Sequence, residues 1–259
     1  MKKQPKYLIY ATLLDSFQGY IGSSEIYQKY WGYSADPEKT EEQFEQEQFQ
    51  SVIDRINRVP FDSEPADKGT AFNEVIDCII ENRTSEKVEM KSTKETDSIV
   101  ATYNGRIFTF PRSFCIDFAR QFSGAICQVH TSATLETKYG MVELYGYIDE
   151  LMPLKIHDIK TTGKYTIFDF KNHWQHRVYP FCLQQNGIDV SDFEYNVVEI
   201  NKYNGSINNT YVEFYSYVSE RDIPLLTAHI EALIEFIELN KHLITDKKIF
   251  NQHQENDKT

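Results

Sequence analysis

The segment from residue 125 to 201 constrains the fold more than any other part of the chain. Ala125 to Glu136 and Met141 to Asp149 alternate apolar and polar residues, and Lys138-Tyr139-Gly140 between them has turn chemistry. Leu154 to Lys160 reads as a third strand, joined tightly through Met152-Pro153. Asn172 to Gln185 has helical character and stops at Asn186-Gly187. Phe193 to Asn201 then returns to strand. Three hairpin-linked strands, a crossover helix and a further strand require an α/β domain with a mixed central sheet flanked by helices.

The flanks add helices. Residues 7–17 read as an extended lead-in followed by a short helix. Thr40 and Gln43 form a capping-box pattern ahead of Phe49, Val52, Ile53 and Ile56 at helical spacing, with Pro60 as the stop. Asp62 to Lys68 reads as a polar linker, and Ala71 to Asn82 as a second helix. Residues 83–97 read as a charged loop, Tyr103-Asn104-Gly105-Arg106 as a hairpin turn, and Arg112 to Ser123 as a helix. Tyr211 to Tyr217 is a further strand. A last helix starts near Asp222-Ile223-Pro224, with Leu226, Ile230, Leu233 and Ile237 as its buried stripe. One domain is expected over 1–247: an additional N-terminal helical segment at 1–68, a core at 69–220 and a C-terminal helix at 221–247. Residues 248–259 are expected to form a disordered tail.

Net charge of −12 argues against a protein that coats DNA. Yet residues 155–177 carry Lys155, Lys160, Lys164, Lys171 and Arg177 against only Asp158 and Asp169, a local basic zone in an acidic chain. The four cysteines, Cys78, Cys115, Cys127 and Cys182, lack the pairwise spacing of a zinc or iron–sulfur clamp. His157, His173 and His176 with Cys182 fit no established zinc pattern either. There is no apolar signal core behind the N-terminal lysines, and no run approaches the roughly 20 apolar residues of a membrane span. A cytoplasmic protein without membrane partners is the expectation.

An Asp/Glu-x-Lys triplet is weak by itself, since five occur: at 89–91, 136–138, 158–160, 169–171 and 246–248. Context selects Asp158-Ile159-Lys160. It ends an apolar-alternating strand, Asp149 ends the strand before, and the following helix carries Gln175 and Tyr179 four residues apart on one face. Side chains 158 and 160 share a strand face because strands have period two. Mg²⁺ favours carboxylate and carbonyl oxygens, so Asp149, Asp158 and the Ile159 carbonyl are its candidate ligands. Such a site would acidify a water for attack on phosphorus, with Lys160 stabilising the developing charge. Arg177, Lys164 and Lys171 are the candidate contacts to substrate phosphates.

These motifs resemble the PD-(D/E)xK nuclease superfamily, and within it the RecB-type nuclease domain. The resemblance rests on Gly146-Tyr147-Ile148-Asp149, Asp158-Ile159-Lys160-Thr161 and Gln175-His176-Arg177-Val178-Tyr179. Gly69-Thr70-Ala71-Phe72-Asn73 resembles an earlier family element, and Ala11 to Phe17 the family's N-terminal segment. The resemblance implies a restriction-endonuclease-like fold and Mg²⁺- or Mn²⁺-dependent cleavage of DNA. It places the work in recombination, repair or phage-type DNA metabolism, and a separate helicase or recombination protein would be a partner. The helix histidine that ligates metal in this branch is replaced by Asn73, with Glu74 or Asp77 as neighbours able to take its role. That substitution keeps open an alternative: a catalytically weak nucleic-acid-binding or assembly module that retains the nuclease fold.

Overall fold

A computed structural model describes residues 4–202 and 205–251. The chain opens with β1 (Tyr7–Tyr10), α1 (Ala11–Ile21), α2 (Ser23–Trp31), α3 (Glu41–Ile56) and α4 (Glu64–Glu81). A small layer follows: β2 (Glu89–Thr93), β3 (Ser98–Tyr103), β4 (Arg106–Pro111) and α5 (Arg112–Arg120). The remainder is β5 (Ile126–Thr137), β6 (Gly140–Met152), β7 (Lys155–Thr162), α6 (Gln175–Gln185), β8 (Asp192–Ile200), β9 (Ile207–Ser216) and α7 (Ser219–Leu239). The architecture is α/β, with a mixed central sheet flanked by helices.

The central sheet runs β1-β6-β7-β8-β9, with β5 also paired to β6. β1 with β6 and β7 with β8 are parallel; the other pairs are antiparallel. β5 occupies one edge of β6 along nearly its whole length, from Gly140 to Leu151. β1 and β7 therefore share the other edge: β1 pairs with residues 142–145 and β7 with residues 150–152. Residues 146–149 lie between them, where the sheet splits.

Two apolar clusters cover the sheet. The larger packs α1, α3, α6 and α7 around Leu144, Ile156, Phe193 and Val197. The smaller joins α4, α5 and the β2-β3-β4 layer to Ile159, Val198 and Ile200. Strand alternation divides β7 between them, sending Ile156 to one cluster and Ile159 to the other.

Several boundaries depart from the sequence expectations, for local reasons. The stretch read as a polar linker opens α4, because Ser63 Oγ accepts from Ala66 N–H and Pro65 sits in the first turn. α3 stops at Ile56, four residues short of Pro60, and Arg58 follows with φ 52°. Residues 89–93, read as loop, are an edge strand held by register to β3 without an alternating pattern of their own. α2 was not anticipated. The C-terminal helix ends at Leu239 and gives way to 3₁₀ turns at Lys241–Leu243 and Lys247–Phe250. The tail expected from residue 248 begins as ordered chain. Ile249 is buried and Asn251 Nδ2 donates to the Pro5 carbonyl; residues 252–259 lie outside the described residues. Among the described residues no helix is long and apolar enough to cross a membrane.

Candidate active site

The split between β6 and β7 holds the chemistry. Asp149 lies at the end of the segment of β6 left unpaired between β1 and β7, next to Glu150 where pairing with β7 begins, and its Oδ2 accepts the Ile159 N–H at 2.9 Å. This bond ties the two strands together across the gap. Asp158 is 1% exposed. Its Oδ1 accepts from Gln175 Nε2 at 2.7 Å, and its Oδ2 faces Lys160 Nζ at 2.6 Å. Lys160 Nζ also donates to Gln175 Oε1 at 2.8 Å, and Gln175 Nε2 to Tyr179 Oη at 3.1 Å. Asp158, Lys160, Gln175 and Tyr179 thus form one bonded chain from β7 to α6, and Asp149 joins it through Ile159.

Two glycines permit this packing. A Cβ on Gly146 would sit 2.5 Å from Tyr179 Cε1, so only glycine lets that ring lie against β6. A Cβ on Gly69 would meet Thr161 Oγ1 at 3.1 Å, which explains the close approach of α4 to β7. The start of α6 is fixed from α1, where Asp15 accepts the Trp174 N–H at 2.6 Å. Trp174 is buried and its ring stacks on His229 with centroids 4.0 Å apart, a core role as its residue type suggests.

From α4, Asn73 Nδ2 donates to Asp149 Oδ2 at 3.3 Å, so this helix does reach the site. Glu74 is brought elsewhere: its carboxylate pairs with Arg83 at 2.6 Å, and that guanidinium holds its proton affinity down against the pull of burial. Asp77, one turn beyond Asn73, accepts from Gln128 Nε2 at 3.0 Å and lies beside Glu150. Glu150 is fully buried, and sequence reasoning passed over it. Its position directly after Asp149 was the available signal, but strand alternation argues against two successive side chains serving one site. Opposite this point Gln128, in β5 with φ 53°, interrupts the β5–β6 register.

The electrostatics are those of crowded carboxylates in a low-dielectric place. Burial, then the Asp158 charge, pushes Asp149 up to about 8. Burial raises Asp158 as well, against the opposing pull of Lys160. Glu150 is pushed up to about 10 and Asp77 to about 6, both mainly by burial. Burial works against the Lys160 ammonium, but the Asp158 and Asp149 carboxylates outweigh it and the proton is held more tightly than usual. Lys160 is therefore a cation at neutral pH, suited to stabilise negative charge rather than to accept a proton.

The donor set suits a hard cation. Asn73 Oδ1 is buried without a hydrogen-bond partner, whereas the neighbouring Asp77 and Glu150 carboxyl groups hydrogen-bond to each other as an acid pair that retains a proton. An orphaned oxygen at such depth is costly, and a divalent ion is one way to satisfy it. Among the described residues, no three or more His, Cys, Asp or Glu side chains stand at metal-holding geometry. His157, His176 and Cys182 do not converge: each has separate partners, in Asn196, Tyr195 and the Leu144 carbonyl.

The candidate phosphate contacts divide. Arg177 is committed to the fold, with Nε 3.2 Å from buried Asp222 and its guanidinium over Trp174. Lys155 is likewise paired with Glu194. Lys164 and Lys171 sit exposed on the loop between β7 and α6, and among the described residues no carboxylate pairs with either. The usable positive charge of the basic zone is narrower than its sequence suggests.

No family model matches the chain, and no curated protein matches it. Among solved structures, the chain is similar to the crystal structure of SSO0001, at 11% identity over 91% of this chain and 79% of that chain, with a TM-score of 0.47.

Proposed function

We propose that this protein is a metal-dependent deoxyribonuclease on a restriction-endonuclease-like core, an exonuclease or processing nuclease that hydrolyses phosphodiester bonds. The observation that carries the reading is the bonded network of Asp158, Lys160, Gln175 and Tyr179, with Asp149 tied to the same strand through the Ile159 N–H, beside the unpartnered buried oxygen of Asn73. Mg²⁺ or Mn²⁺ held by Asp149, Asp158 and the Ile159 carbonyl, with Asn73 as a neutral oxygen donor, would neutralise phosphate charge and acidify a water.

The chain's own groups supply the rest. Lys160 keeps its ammonium charged and meets negative charge building on the phosphate oxygens. Gln175 grips Asp158 with its amide nitrogen and Lys160 with its amide oxygen, so one side chain fixes the spacing of acid and cation. Tyr179 fixes Gln175 in turn. Lys164 and Lys171, exposed on the loop between β7 and α6, would be the contacts to flanking phosphates.

The test is cleavage of linear, circular and single-stranded DNA by purified protein with Mg²⁺ or Mn²⁺, beside Asp158→Ala and Lys160→Ala. Each variant is expected to lose on the order of 10²-fold or more in rate. Equal activity in all three proteins would sink the proposal. The second reading, a catalytically weak binding or assembly module, draws on the uncharged Asn73 at the α4 position and the net charge of −12. Metal-independent DNA binding with no cleavage would favour it.

A further inference from the structure

In a scheme of two carboxylates, Lys160 and Gln175, the departing oxygen of a cleaved phosphodiester has no proton donor. An alkoxide leaves poorly, and a positioned acid is the usual remedy. Lys160 is ill suited: its ammonium is bonded to Asp158 and Gln175 and holds its proton more tightly than usual. Burial pushes the Tyr179 hydroxyl far above the ordinary tyrosine value. Asp149 and Asp158 are needed as charged ligands.

His173 stands two residues before Gln175, where the loop after β7 enters α6. Its ring lies edge-on to Tyr195 with centroids 6.1 Å apart, and Lys160 Nζ lies 5.8 Å from the centre of the same Tyr195 ring. Phe170 packs on both rings, 5.0 Å from each. From α1, Asp15 Oδ1 accepts the Trp174 N–H, and its Oδ2 stands 3.4 Å from His173 Nδ1. That nitrogen is buried and otherwise unpartnered. The side chain is nevertheless 34% exposed, so its open part lies away from Nδ1, on the side that carries Nε2. His173 and Asp15 both act by charge on the Asp158 carboxylate, which puts the pair within electrostatic reach of the site.

From this geometry we infer that His173 is the acid of the reaction, giving its Nε2 proton to the departing oxygen, and that Asp15 is the positioning residue behind it. The inference rests on the nuclease reading and adds a catalytic residue to it. A water attacks phosphorus and loses a proton to solvent. The bond from phosphorus to the departing oxygen breaks, and its electron pair stays on that oxygen. The oxygen takes the proton from Nε2, and the imidazole regains one from solvent, so one water is consumed per bond. Imidazole suits the task because it gives and regains a proton near neutral pH. A carboxylate at Nδ1 stabilises the imidazolium and leaves the neutral ring protonated on the correct nitrogen.

The experiment compares ordinary DNA with DNA carrying sulfur in place of one bridging oxygen, on the 3′ side of a phosphate in one strand and on the 5′ side in another. A thiolate departs without a proton, so the strand with sulfur at the departing position does not need the acid. With Mn²⁺, His173→Gln should lose about 10²- to 10⁴-fold on ordinary DNA, the range for a general acid, and keep the wild-type rate on that sulfur strand. Asp15→Asn, which keeps an oxygen for the Trp174 N–H, should show the same pattern. Activity on the sulfur strand also reports that each variant is folded. In metal-free protein, nitrogen-15 NMR should find the neutral His173 ring protonated on Nδ1 in the wild type and on Nε2 in Asp15→Asn.

Equal losses on ordinary and sulfur DNA would overturn the role of His173 and leave the nuclease standing, as would a wild-type rate for His173→Gln on ordinary DNA. A neutral wild-type ring protonated on Nε2 would overturn the role of Asp15. Wild-type protein that cleaves none of the strands removes the nuclease reading and the acid with it.

Discussion

Gly146 stands where a methyl group would meet the Tyr179 ring at 2.5 Å, and through that ring it governs the whole bonded network. Gly146→Ala must therefore displace either β6 or the ring. A cost of about 1–3 kcal/mol is expected from such overpacking in a buried place. The double variant Gly146→Ala with Tyr179→Leu should recover part of that stability in urea unfolding, because the clash is removed, while any nuclease rate stays low because Gln175 has lost its anchor. A double variant no more stable than Gly146→Ala alone would show that the clash is not the cause. Asp15 acts at the same scale through the backbone: by accepting the Trp174 N–H it fixes where α6 begins and hence where Gln175 points.

At the scale of elements, α4 and α7 are held by different forces. α4 owes its first turn to Ser63 and Pro65, and the Ser63 bond is long at 3.4 Å. Ser63→Ala should cost about 0.5–1 kcal/mol, the lower part of the range for lost caps. α7 has no side-chain cap and is held by burial, with Leu226, Ile230, Leu233 and Ile237 all fully buried. Leu233→Ala should cost about 2–5 kcal/mol, since it leaves a cavity against the sheet. Chemical denaturation of the two variants checks the order, and a Ser63→Ala loss larger than the Leu233→Ala loss would contradict it. The same contrast explains which elements were legible. The stripe of α7 and the capping box at Thr40 are written locally, and the structure has both. α4's true start was missed because an acidic Ser-Glu-Pro run resembles a linker. β2 was missed because its partner, not its own pattern, makes it a strand.

Across the whole molecule, the buried acids impose a pH signature. Asp77, Asp149 and Glu150 hold protons up to about 6, 8 and 10, above the ordinary carboxylate values, and Asp158 is raised too. Over this window the native state binds more protons than the unfolded chain. The metal-free protein should thus lose stability as pH rises through these values. Lys160 adds little to this trend at lower pH, because the unfolded chain keeps it protonated up to its ordinary value of 10.5 and the fold holds its proton more tightly still. On the proposed reading a divalent ion would replace the protons, so Mg²⁺ should raise the melting temperature more at about pH 8.5 than at about pH 6. Asp149→Asn should shrink the difference. Thermal melts with and without Mg²⁺ measure it, and equal Mg²⁺ shifts at both pH values would contradict the cation assignment.

The sequence alone determined the strand–strand–strand–helix–strand order, the buried stripe of α7, and the choice of Asp158-Ile159-Lys160 over four similar triplets. These are local facts: periodicity, capping and turn chemistry act over a few residues. Tertiary structure decided what locality cannot. It paired Arg177 with Asp222, 45 residues away, and tied Glu74 to Arg83. It brought Asp77 and Glu150 together from α4 and β6, and left residues 146–149 uncovered between two strands. Charges meet through space, so the partner that neutralises a side chain is fixed only when distant segments pack.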